Sequence, residues 1–478
     1  LSVVNGTGIV VPLDKGLPEK EIENSLIRSQ AEAIIFEDDY IDMIKNIKSN
    51  NQTKVTKFIC MNKQDEFENI YKLIDEGEKL LQQGNKEFIE SEINNEEMSI
   101  LLFTSGTTSA AKAVMLSHKN IASNIYSMTK CEDIRSTDTN IAFLPFHHTF
   151  GSTGILMFLS RGATNVFCDG LRHIQKNLNE YHVSMFVCVP LLIESIYKKV
   201  WQEIEKTGQT KKVKFGMKLT KFLLIFGIDI RRKIFKQIID KLGGKLRYVI
   251  SGASGLDGEV ATGFRNFGIE VVQGYGLTET SPTLIAETAK SYKAGSTGLP
   301  IPNVEIKIND PNEQGIGEIL AKGPNVMLGY YENEEATNEV DGWFHTGDLG
   351  YKDKGGFIFI TGRQKNVIVL KNGKNIYPEE LETLVNQLPY VAESMVYGKE
   401  KNDDLIVSVK VVYDKEYAKN NWQDKTQEDI EKLIWEDIKK INQTMPNYKH
   451  IKNLIATDEE MIKTTTAKIK RFEEMKNL

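Results

Sequence analysis

IEVVQGYGLTETSP, residues 269–282, starts as an apolar run and turns abruptly into glycines, hydroxyls and a carboxylate. Short apolar runs of this kind recur through the first part of the chain, separated by longer segments of helical period. They are AEAIIFED (31–38), SILLFTS (99–105), TNIAFLP (139–145), SMFVCVP (184–190) and KLRYVISG (245–252). This alternation predicts parallel strands with crossover helices, and ligands usually sit at the carboxyl ends of such strands.

After Pro282 the sequence pattern changes to short, glycine-rich segments typical of hairpins, such as GEILAKG (317–323) and GGFIFITG (355–362). These pieces predict an antiparallel section that closes a large domain. We therefore expect an α/β fold whose large N-terminal domain, residues 1–363, has mixed and mainly parallel sheets.

A second, smaller unit is expected over residues 364–478. Pro378, Glu379 and Glu380 favour a helix start, with proline in the first turn and acids near the positive end of the dipole. The pieces that follow are strand-like VAESMVYG (391–398) and DLIVSVKVVY (404–413), helical TQEDIEKLIWEDIKKI (426–441) and a last strand near IKNLIATD (451–458). The prediction is a small, mobile α+β domain.

Size and composition restrict the class of protein. At 478 residues the chain favours more than one domain, and its net charge of -6 argues against a general nucleic-acid binder. No apolar stretch is long enough to span a membrane. The cysteines lie far apart without zinc-like spacing, which predicts free thiols in a reducing, cytoplasmic compartment: Cys60, Cys131, Cys168 and Cys188.

Glycines and oxygen ligands are combined in GYGLTETSP (274–282). Gly274 and Gly276 flank Tyr275, whose ring could stack on a purine. Thr278 and Glu279 place a hydroxyl and a carboxylate beside any bound phosphate, and Glu279 could hold Mg²⁺, which prefers oxygen ligands and shares them with substrate phosphates. The alternative is a glycine-rich strand exit with a helix-capping threonine.

Small hydroxylated residues end LLFTSGTTSAAKAV (101–114). A Walker phosphate loop needs GxxxxGK followed by Ser or Thr, and this stretch lacks it because alanines flank Lys112. A different phosphate cradle fits, in which glycine lets the backbone approach and hydroxyls donate hydrogen bonds. A polar turn between strands is the alternative. The candidate phosphate-binding residues are Thr104, Ser105, Gly106, Thr107, Thr108 and Lys112.

Two later stretches, GWFHTGDLG (342–350) and ITGRQKNVIVLKNGKNIYPEELE (360–382), supply a carboxylate and a guanidinium. Asp348 could accept both hydroxyls of a ribose, and Arg363 could donate to the same sugar or to a phosphate. Either residue alone would more often be a turn or surface charge. Only the occurrence of all these motifs together and in this order supports a nucleotide-binding function.

That order, TSGTT, then Lys112, FLPFHHTFG, SGAS, QGYGLTE, TGD, GRQK and a late lysine, resembles the adenylate-forming superfamily of acyl-CoA synthetases, firefly-type luciferases and peptide-synthetase adenylation domains. Within it the chain looks most like the bacterial long-chain fatty-acid–CoA ligases. The resemblance implies that a carboxylate and Mg-ATP form an acyl-adenylate and pyrophosphate, after which coenzyme A displaces AMP. Long-chain fatty acid, ATP and coenzyme A are the implied substrates, with Mg²⁺ as cofactor.

The resemblance also implies roles for residues at matching positions. Ala253 and Ser254, with Gln273, Gly274 and Tyr275, would frame the adenine. His148 and Gly151 would border the acyl pocket, Lys365 would be the hinge, and Lys468 in TTTAKIKR would be inserted during adenylation. Without the upstream motifs, Lys468 would be interpreted as an ordinary exposed lysine of the C-terminal tail. These join the phosphate, metal and ribose candidates: Thr104 to Thr108, Lys112, Gly276, Thr278, Glu279, Asp348 and Arg363.

The chain departs from the family's usual pattern at several positions. Ser109, Ala111 and Ala113 replace Gly, Pro and Gly of the phosphate loop, and Ala467 replaces the Gly before the late lysine. These changes keep the donors but stiffen the loop, so altered turnover is expected. The chain begins at Leu1 without methionine, inside a strand-like run, GIVVPLD (8–14), and the front of the family's large domain is missing, so we expect an incomplete N-terminal part.

Lysines and arginines alternate with Phe, Leu and Ile in KKVKFGMKLTKFLLIFGIDIRRKIFK (211–236). This stretch could rest on an anionic membrane surface, or it could be a packed helix pair with a solvated basic edge. An insertion here is typical of the family's long-chain ligases.

Two other functions stay open: ligation of the acyl group to acyl carrier protein, and nucleotide binding by a relative without catalysis. The sequence leaves the oligomeric state undetermined.

Overall fold

The structure is a computed structural model, and it describes residues 2–104, 112–333, 335, 337, 339–340, 342–371, 373–401, 404–463 and 468–478. In the large domain the strands are β1 (Ala33–Phe36), β2 (Lys57–Cys60), β3 (Glu68–Asn69), β4 (Met98–Thr104), β5 (Lys112–Ser117), β6 (Thr139–Ala142), β7 (Thr164–Phe167), β8 (Met185–Cys188), β9 (Tyr248–Ser251), β10 (Glu270–Gly276), β11 (Thr283–Ala286), β12 (Leu299–Pro300), β13 (Glu305–Asn309), β14 (Gly317–Lys322), β15 (Gly329–Tyr330), β16 (Glu339–Val340), β17 (Trp343–Lys352) and β18 (Ile358–Arg363). Its helices are α1 (Glu19–Ser29), α2 (Ile41–Asn50), α3 (Ile70–Gln82), α4 (His118–Cys131), α5 (Thr149–Ser160), α6 (Ile174–Glu180), α7 (Pro190–Lys206), α8 (Thr210–Ile225), α9 (Arg231–Ile234), α10 (Lys236–Lys241) and α11 (Gly258–Phe267).

A seven-stranded sheet in the order β12-β11-β10-β9-β8-β6-β7 forms the centre of the large domain. From β7 to β10 neighbouring strands run parallel, and β11 and β12 continue the sheet antiparallel. Every position of β8 and β9 is buried, as expected for central strands covered on both faces. The predicted alternation of parallel strands and crossover helices is confirmed here.

Side chains alternate between two cores across this sheet. Phe186 and Cys188 of β8 pack with helices α6, α7, α10 and α11 in one core. Met185 and Val187 point the other way, into a core shared with α4, α5 and the antiparallel strands that follow. The period of two in a strand thus gives one apolar run two buried faces.

The antiparallel section that the sequence predicts after Pro282 is confirmed. Strands β13, β14, β17, β16 and β18 form one sheet, with β18 paired to β17. This pairing places Asp348 directly opposite Arg363.

The run SILLFTS (99–105) is not a parallel strand as predicted. It forms β4, which pairs antiparallel with β5 in a separate three-stranded sheet, β15-β5-β4. The connection from Thr104 to Lys112 is too short for a parallel crossover, which needs a dozen or more residues. The strand-like run GIVVPLD (8–14) contributes only a single parallel bridge, from Val10 to Ile100.

The small domain has its own apolar core, built mainly of valine, isoleucine and tyrosine. Its β21-β22-β23 sheet joins an antiparallel hairpin to a parallel last strand. Proline occupies the first turn of α12, and Thr426 caps α14 through a capping box with Asp429. The elements are β19 (Ile368–Val369), β20 (Asn375–Ile376), α12 (Pro378–Asn386), β21 (Val391–Lys401), β22 (Asp404–Tyr413), α13 (Lys415–Asn421), α14 (Gln427–Asn442), β23 (Asn453–Thr457) and α15 (Arg471–Met475).

Among the helices of the described ranges, none has both the length and the apolar character needed to cross a bilayer. All four cysteines are free, in agreement with the expectation of unpaired thiols.

A buried carboxyl group links α4 to the central sheet. Glu132, at the end of α4, accepts a hydrogen bond from the Tyr248 hydroxyl of β9. Burial, with a smaller contribution from the nearby Glu287 carboxyl and against the hydrogen bond from Tyr248, raises the pKa of Glu132 to about 8. The folded protein therefore keeps this proton at a pH where the unfolded chain has released it.

We expect Glu132→Gln to gain stability relative to the wild type as pH rises from 5 to 8. The folded state holds a proton that the unfolded state loses above about pH 4.5, so this carboxyl costs stability progressively until the pH reaches about 8. The relative gain should be on the order of a few kcal/mol in urea unfolding at the two pH values. Glu96→Gln, at an exposed carboxyl paired with Lys119, is the control and should show no such trend. A constant difference between Glu132→Gln and the wild type at both pH values would contradict the assignment.

Candidate active site

Asp348 of β17 links the two main sheets of the large domain. Its Oδ1 lies 2.8 Å from Nε of Arg363, and its Oδ2 accepts a hydrogen bond of 2.7 Å from the Tyr275 hydroxyl at the end of β10. Burial raises the pKa of Asp348, and the Arg363 guanidinium opposes that rise. Each carboxylate oxygen has two lone pairs and is shown with one partner, so each has an acceptor site left for a ribose hydroxyl.

Glu279 lies in a short 3₁₀ turn, Thr278–Thr280, that directly follows β10. Its Oε1 accepts a hydrogen bond of 2.7 Å from the hydroxyl of Tyr330 in β15. The same tyrosine ring carries the Lys112 ammonium 4.3 Å from its centroid. One aromatic side chain thus joins the predicted phosphate lysine to the predicted metal carboxylate.

Two more lysines approach these groups, Lys365 from the turn after β18 and Lys468 from the small domain. The pKa of Lys365 is lowered by burial and by Arg363 and Lys112, while Asp348 and Glu279 oppose the change. Part of the Lys468 side chain is exposed, but its ammonium is surrounded by protein. This burial lowers the pKa of Lys468, and Arg363 lowers it as well, while Asp348 and Glu279 oppose the change. The structure therefore brings Lys112, Lys365 and Lys468 to one cleft.

The predicted adenine frame surrounds the carboxyl ends of β9 and β10. Gln273 holds two loops together, because its Oε1 accepts from the Leu256 amide and its Nε2 donates to the Ser296 carbonyl. Ala253 and Ser254 lie exposed on the loop after β9, and Ala253 has a positive φ of 74°.

Gly276 is a position where the backbone itself excludes a side chain. A Cβ atom there would lie 1.8 Å from the Pro282 carbonyl oxygen. Gly274 also pairs within the strand, opposite Ala286 of β11. The purine stacking predicted for the Tyr275 ring stays a prediction.

His148 and Gly151 stand at the start of α5. Burial, with neighbouring His147, lowers the pKa of His148 to about 4, and Lys468 is close enough to add to this lowering. A side chain at Gly151 would meet the Pro145 carbonyl. Beside them an apolar recess is lined by Phe143, Phe146, Phe150, Gly151, Gly154 and Ile155, among others.

Part of the predicted phosphate cradle lies outside the described residues: Ser105, Gly106, Thr107 and Thr108, together with the substituted Ser109 and Ala111. Its two ends are described. Thr104 and Lys112 face each other across β4 and β5, and the Thr104 hydroxyl donates to the Lys112 carbonyl. Ala467 is likewise outside the described ranges.

Sequence reasoning missed Tyr330 and the Asp14–His147 pair beside His148. The Nε2 atom of His147 lies 3.5 Å from Oδ2 of Asp14, near the N-terminus of the chain. Nothing in the pattern around Tyr330 marks it, because its partner Glu279 lies 51 positions away in sequence.

Comparison with known families agrees with this geometry. Residues 2–331 match the AMP-binding enzyme family, and residues 365–476 match the AMP-binding enzyme C-terminal domain. The chain belongs to the AMP-binding enzyme family. The first match covers the strands that position Lys112, Tyr275, Glu279 and Tyr330, and the second covers Lys468.

Two curated relatives of this AMP-binding enzyme come from Arabidopsis thaliana. Peroxisomal long chain acyl-CoA synthetase 7 is 32% identical over 357 residues, covering 70% of this chain and 51% of the relative. The chloroplastic long-chain-fatty-acid–[acyl-carrier-protein] ligase AEE15 is 26% identical over 407 residues, covering 73% of this chain and 55% of the relative. The chain thus spans about half the length of these relatives.

Among solved structures, the anthranilate CoA ligase AuaEII in complex with anthranoyl-AMP matches with a TM-score of 0.76 at 19% identity. The match covers 98% of this AMP-binding enzyme and 82% of that chain. At this identity the likeness concerns the fold, which confirms the predicted large and small domains.

For the Mg²⁺-dependent adenylation that the sequence predicts, we expect Tyr330→Phe to raise the Mg²⁺ concentration needed for half-maximal rate and to slow the reaction about tenfold. The change deletes the hydrogen bond that orients Glu279, while the ring beneath Lys112 remains; a hydrogen bond to a charged group contributes roughly 1.5–3 kcal/mol. The measurement is acid-dependent ATP–pyrophosphate exchange over a range of Mg²⁺ concentrations.

Tyr331→Phe is the matched control for this experiment. The Tyr331 hydroxyl is met by Gln30 at 3.4 Å, on a different surface from Glu279, so its loss should leave the exchange rate unchanged. If Tyr330→Phe equals the wild type at every Mg²⁺ concentration, Tyr330 does not position Glu279.

Proposed function

We propose that this AMP-binding enzyme activates a long-chain fatty acid with ATP and transfers the acyl group to coenzyme A. One observation carries the proposal: Lys112, Glu279 and Lys468, from three distant parts of the chain, converge on the cleft that holds Asp348 and Arg363. Such a cleft suits a nucleotide whose sugar meets Asp348 and whose phosphates meet the lysines.

In the first half-reaction a carboxylate oxygen of the fatty acid attacks the α-phosphorus of ATP. An O–P bond to the acyl group forms while the bond to the β-phosphate breaks, which gives acyl-adenylate and pyrophosphate. The acid is already ionised at neutral pH, so no general base is required. The task of the protein is to align the reactants and to neutralise charge, which Lys112 and Lys468 would do.

In the second half-reaction the sulfur of coenzyme A attacks the acyl carbon, AMP leaves, and the thiol proton is lost to solvent. Lys468 has no role in this step. We infer that the small domain turns about Lys365 between the two steps, with the domain boundary after Arg363, as in other gating motions.

Mg²⁺ fits the residues present as a partner of ATP. Across the described residues no group of three or more His, Cys, Asp or Glu could hold a metal ion by itself. Glu279 offers a half-buried carboxylate whose Oε1 is oriented by Tyr330, and Mg²⁺ is commonly held by one or two carboxylates plus substrate phosphates. When bound, the ion would offset charge on the phosphates, and Glu279 would hold it.

The choice of acid and acceptor draws on the relatives. One is named for long-chain acyl-CoA synthesis at 32% identity, which favours coenzyme A. Ligation to acyl carrier protein is the second candidate, supported by AEE15 at 26% identity. A cytoplasmic location and a bacterial source stay predictions.

The test of the proposal is release of pyrophosphate from Mg-ATP over a series of fatty-acid chain lengths. The result expected is release with acids of long chain and formation of acyl-CoA when coenzyme A is added. Acylation of carrier protein instead of coenzyme A would favour the second candidate. Absence of acid-dependent release in a chain that binds ATP would point to a nucleotide-binding relative without catalysis.

We expect Lys468→Ala to slow adenylation by about 10²–10³, the usual cost of losing one charged donor to a transition state. Conversion of supplied acyl-adenylate to acyl-CoA should stay near the wild-type rate, because Lys468 serves only the first step. The two rates are measured separately, by pyrophosphate release and by thioester formation.

Lys470→Ala is the matched control, since its ammonium pairs with Glu473 at 3.4 Å in the same tail. It should leave both rates unchanged. Equal losses in the two half-reactions of Lys468→Ala would assign the lysine a structural role.

A further inference from the structure

Helix α8 has two apolar faces, and only one of them meets the protein. Val213, Gly216 and Thr220 are buried where α8 packs on α7, α9 and α11. Phe215, Leu219, Phe222 and Phe226 follow the spacing i, i+4, i+7 and i+11, which places them on one stripe of the helix. That stripe faces away from the buried residues, about 120° from them around the helix axis.

The outer stripe is exposed to an unusual degree for aromatic residues. Phe215 is 67% exposed, Phe222 57% and Phe226 65%. Ile225 and Ile228 at the end of the helix extend the apolar surface. A contiguous exposed apolar patch on a folded domain marks an interaction site more often than chance. We call the stripe with these two isoleucines the α8 surface.

Lysines border the α8 surface on both sides. Lys211 and Lys218 lie next to the aromatic stripe on one side and Lys212 on the other, with Lys214 and Lys221 beyond. All five are exposed, and within the described ranges none of them forms an ion pair. The nearby carboxylate, Asp229, is bound by Arg231 at 2.8 Å, so it does not offset their charge.

We propose that the α8 surface docks this enzyme on an anionic phospholipid membrane. An apolar face rich in Phe and Leu, flanked by lysines, is the composition of a helix that lies in the plane of a bilayer interface. The apolar side chains would enter the boundary between headgroups and acyl chains, while the lysines contact the lipid phosphates. The charge complementarity of five unpaired lysines selects an anionic surface over a neutral one.

The location also suits the chemistry of the cleft, and this point rests on the proposed function. Helix α8 packs on α11, which begins just after the Ala253–Ser254 loop of the predicted adenine frame. A long-chain fatty acid partitions into bilayers, so docking there would bring the acid close to the enzyme. The docking itself does not depend on which acid is activated.

The experiment is flotation of the whole chain with vesicles of phosphatidylcholine alone and with equal parts of phosphatidylglycerol. We expect binding to the mixed vesicles, weakened by added salt, and little binding to the neutral ones. Replacing Lys211, Lys214 and Lys218 by Gln should weaken binding about a hundredfold, since each lysine near an anionic surface contributes roughly a factor of five. Phe215→Ser with Phe222→Ser should weaken it at least tenfold.

Matched controls come from α3 and the residues after it, which also carry exposed lysines and leucines. They are Lys72→Gln, Lys79→Gln and Lys86→Gln together, and Leu80→Ser with Leu81→Ser. Both should bind like the wild type. Circular dichroism reports whether each variant folds, and the lysine variant decides the matter if the phenylalanine variant does not fold.

Several outcomes would overturn the proposal. They are equal flotation with neutral and anionic vesicles, equal loss in the α8 variants and the α3 controls, or capture of acyl carrier protein through the α8 surface without vesicle binding. A dimer that dissociates on Phe215→Ser with Phe222→Ser and does not float would assign the surface to a second copy. Pyrophosphate release with soluble octanoate, unchanged in the α8 variants, keeps this test separate from that of the ligase reaction.

Discussion

The buried carboxylate of Asp348 is the contact on which the cleft depends. Tyr275 reaches it from the parallel sheet, and Arg363 reaches it from the neighbouring strand of the antiparallel sheet. Asp348 is buried while Arg363 keeps 39% of its side chain exposed, so removing the guanidinium would leave a buried carboxylate without its cation, which is destabilising. This group therefore adds a polar link between two sheets that also share an apolar core, at the place where the chain passes to the small domain.

Charge in the cleft is unbalanced toward the positive. Among the described residues, Lys112, Arg363, Lys365 and Lys468 interact with one another or with the two carboxylates Asp348 and Glu279. Burial first, and then repulsion from neighbouring cations, lowers the pKa of both Lys365 and Lys468. A triphosphate would relieve that repulsion, so the cleft is arranged electrostatically for a polyanion before any ligand arrives.

The sequence allowed most of the fold to be predicted, because central strands such as SMFVCVP and KLRYVISG are uniformly apolar and the helices between them are long. It failed at SILLFTS, where the short connection to Lys112 should have indicated a hairpin. The separate pieces of the cleft were found through their side-chain chemistry and family pattern. Tyr330 was not, because its role arises only when the pairing of β15 with β5 brings it between Lys112 and Glu279.

The core of the small domain is drawn from residues between Ile368 and Ala456, whereas the seven-stranded sheet is complete only once β12 at Leu299–Pro300 has joined it. During synthesis the central strands β8 and β9 must therefore wait for β10, β11 and β12 to leave the ribosome. The small domain, with its separate core, can then collapse as an independent unit behind them. Nascent chains stalled before residue 299 should accordingly depend on chaperones more than those stalled after residue 363.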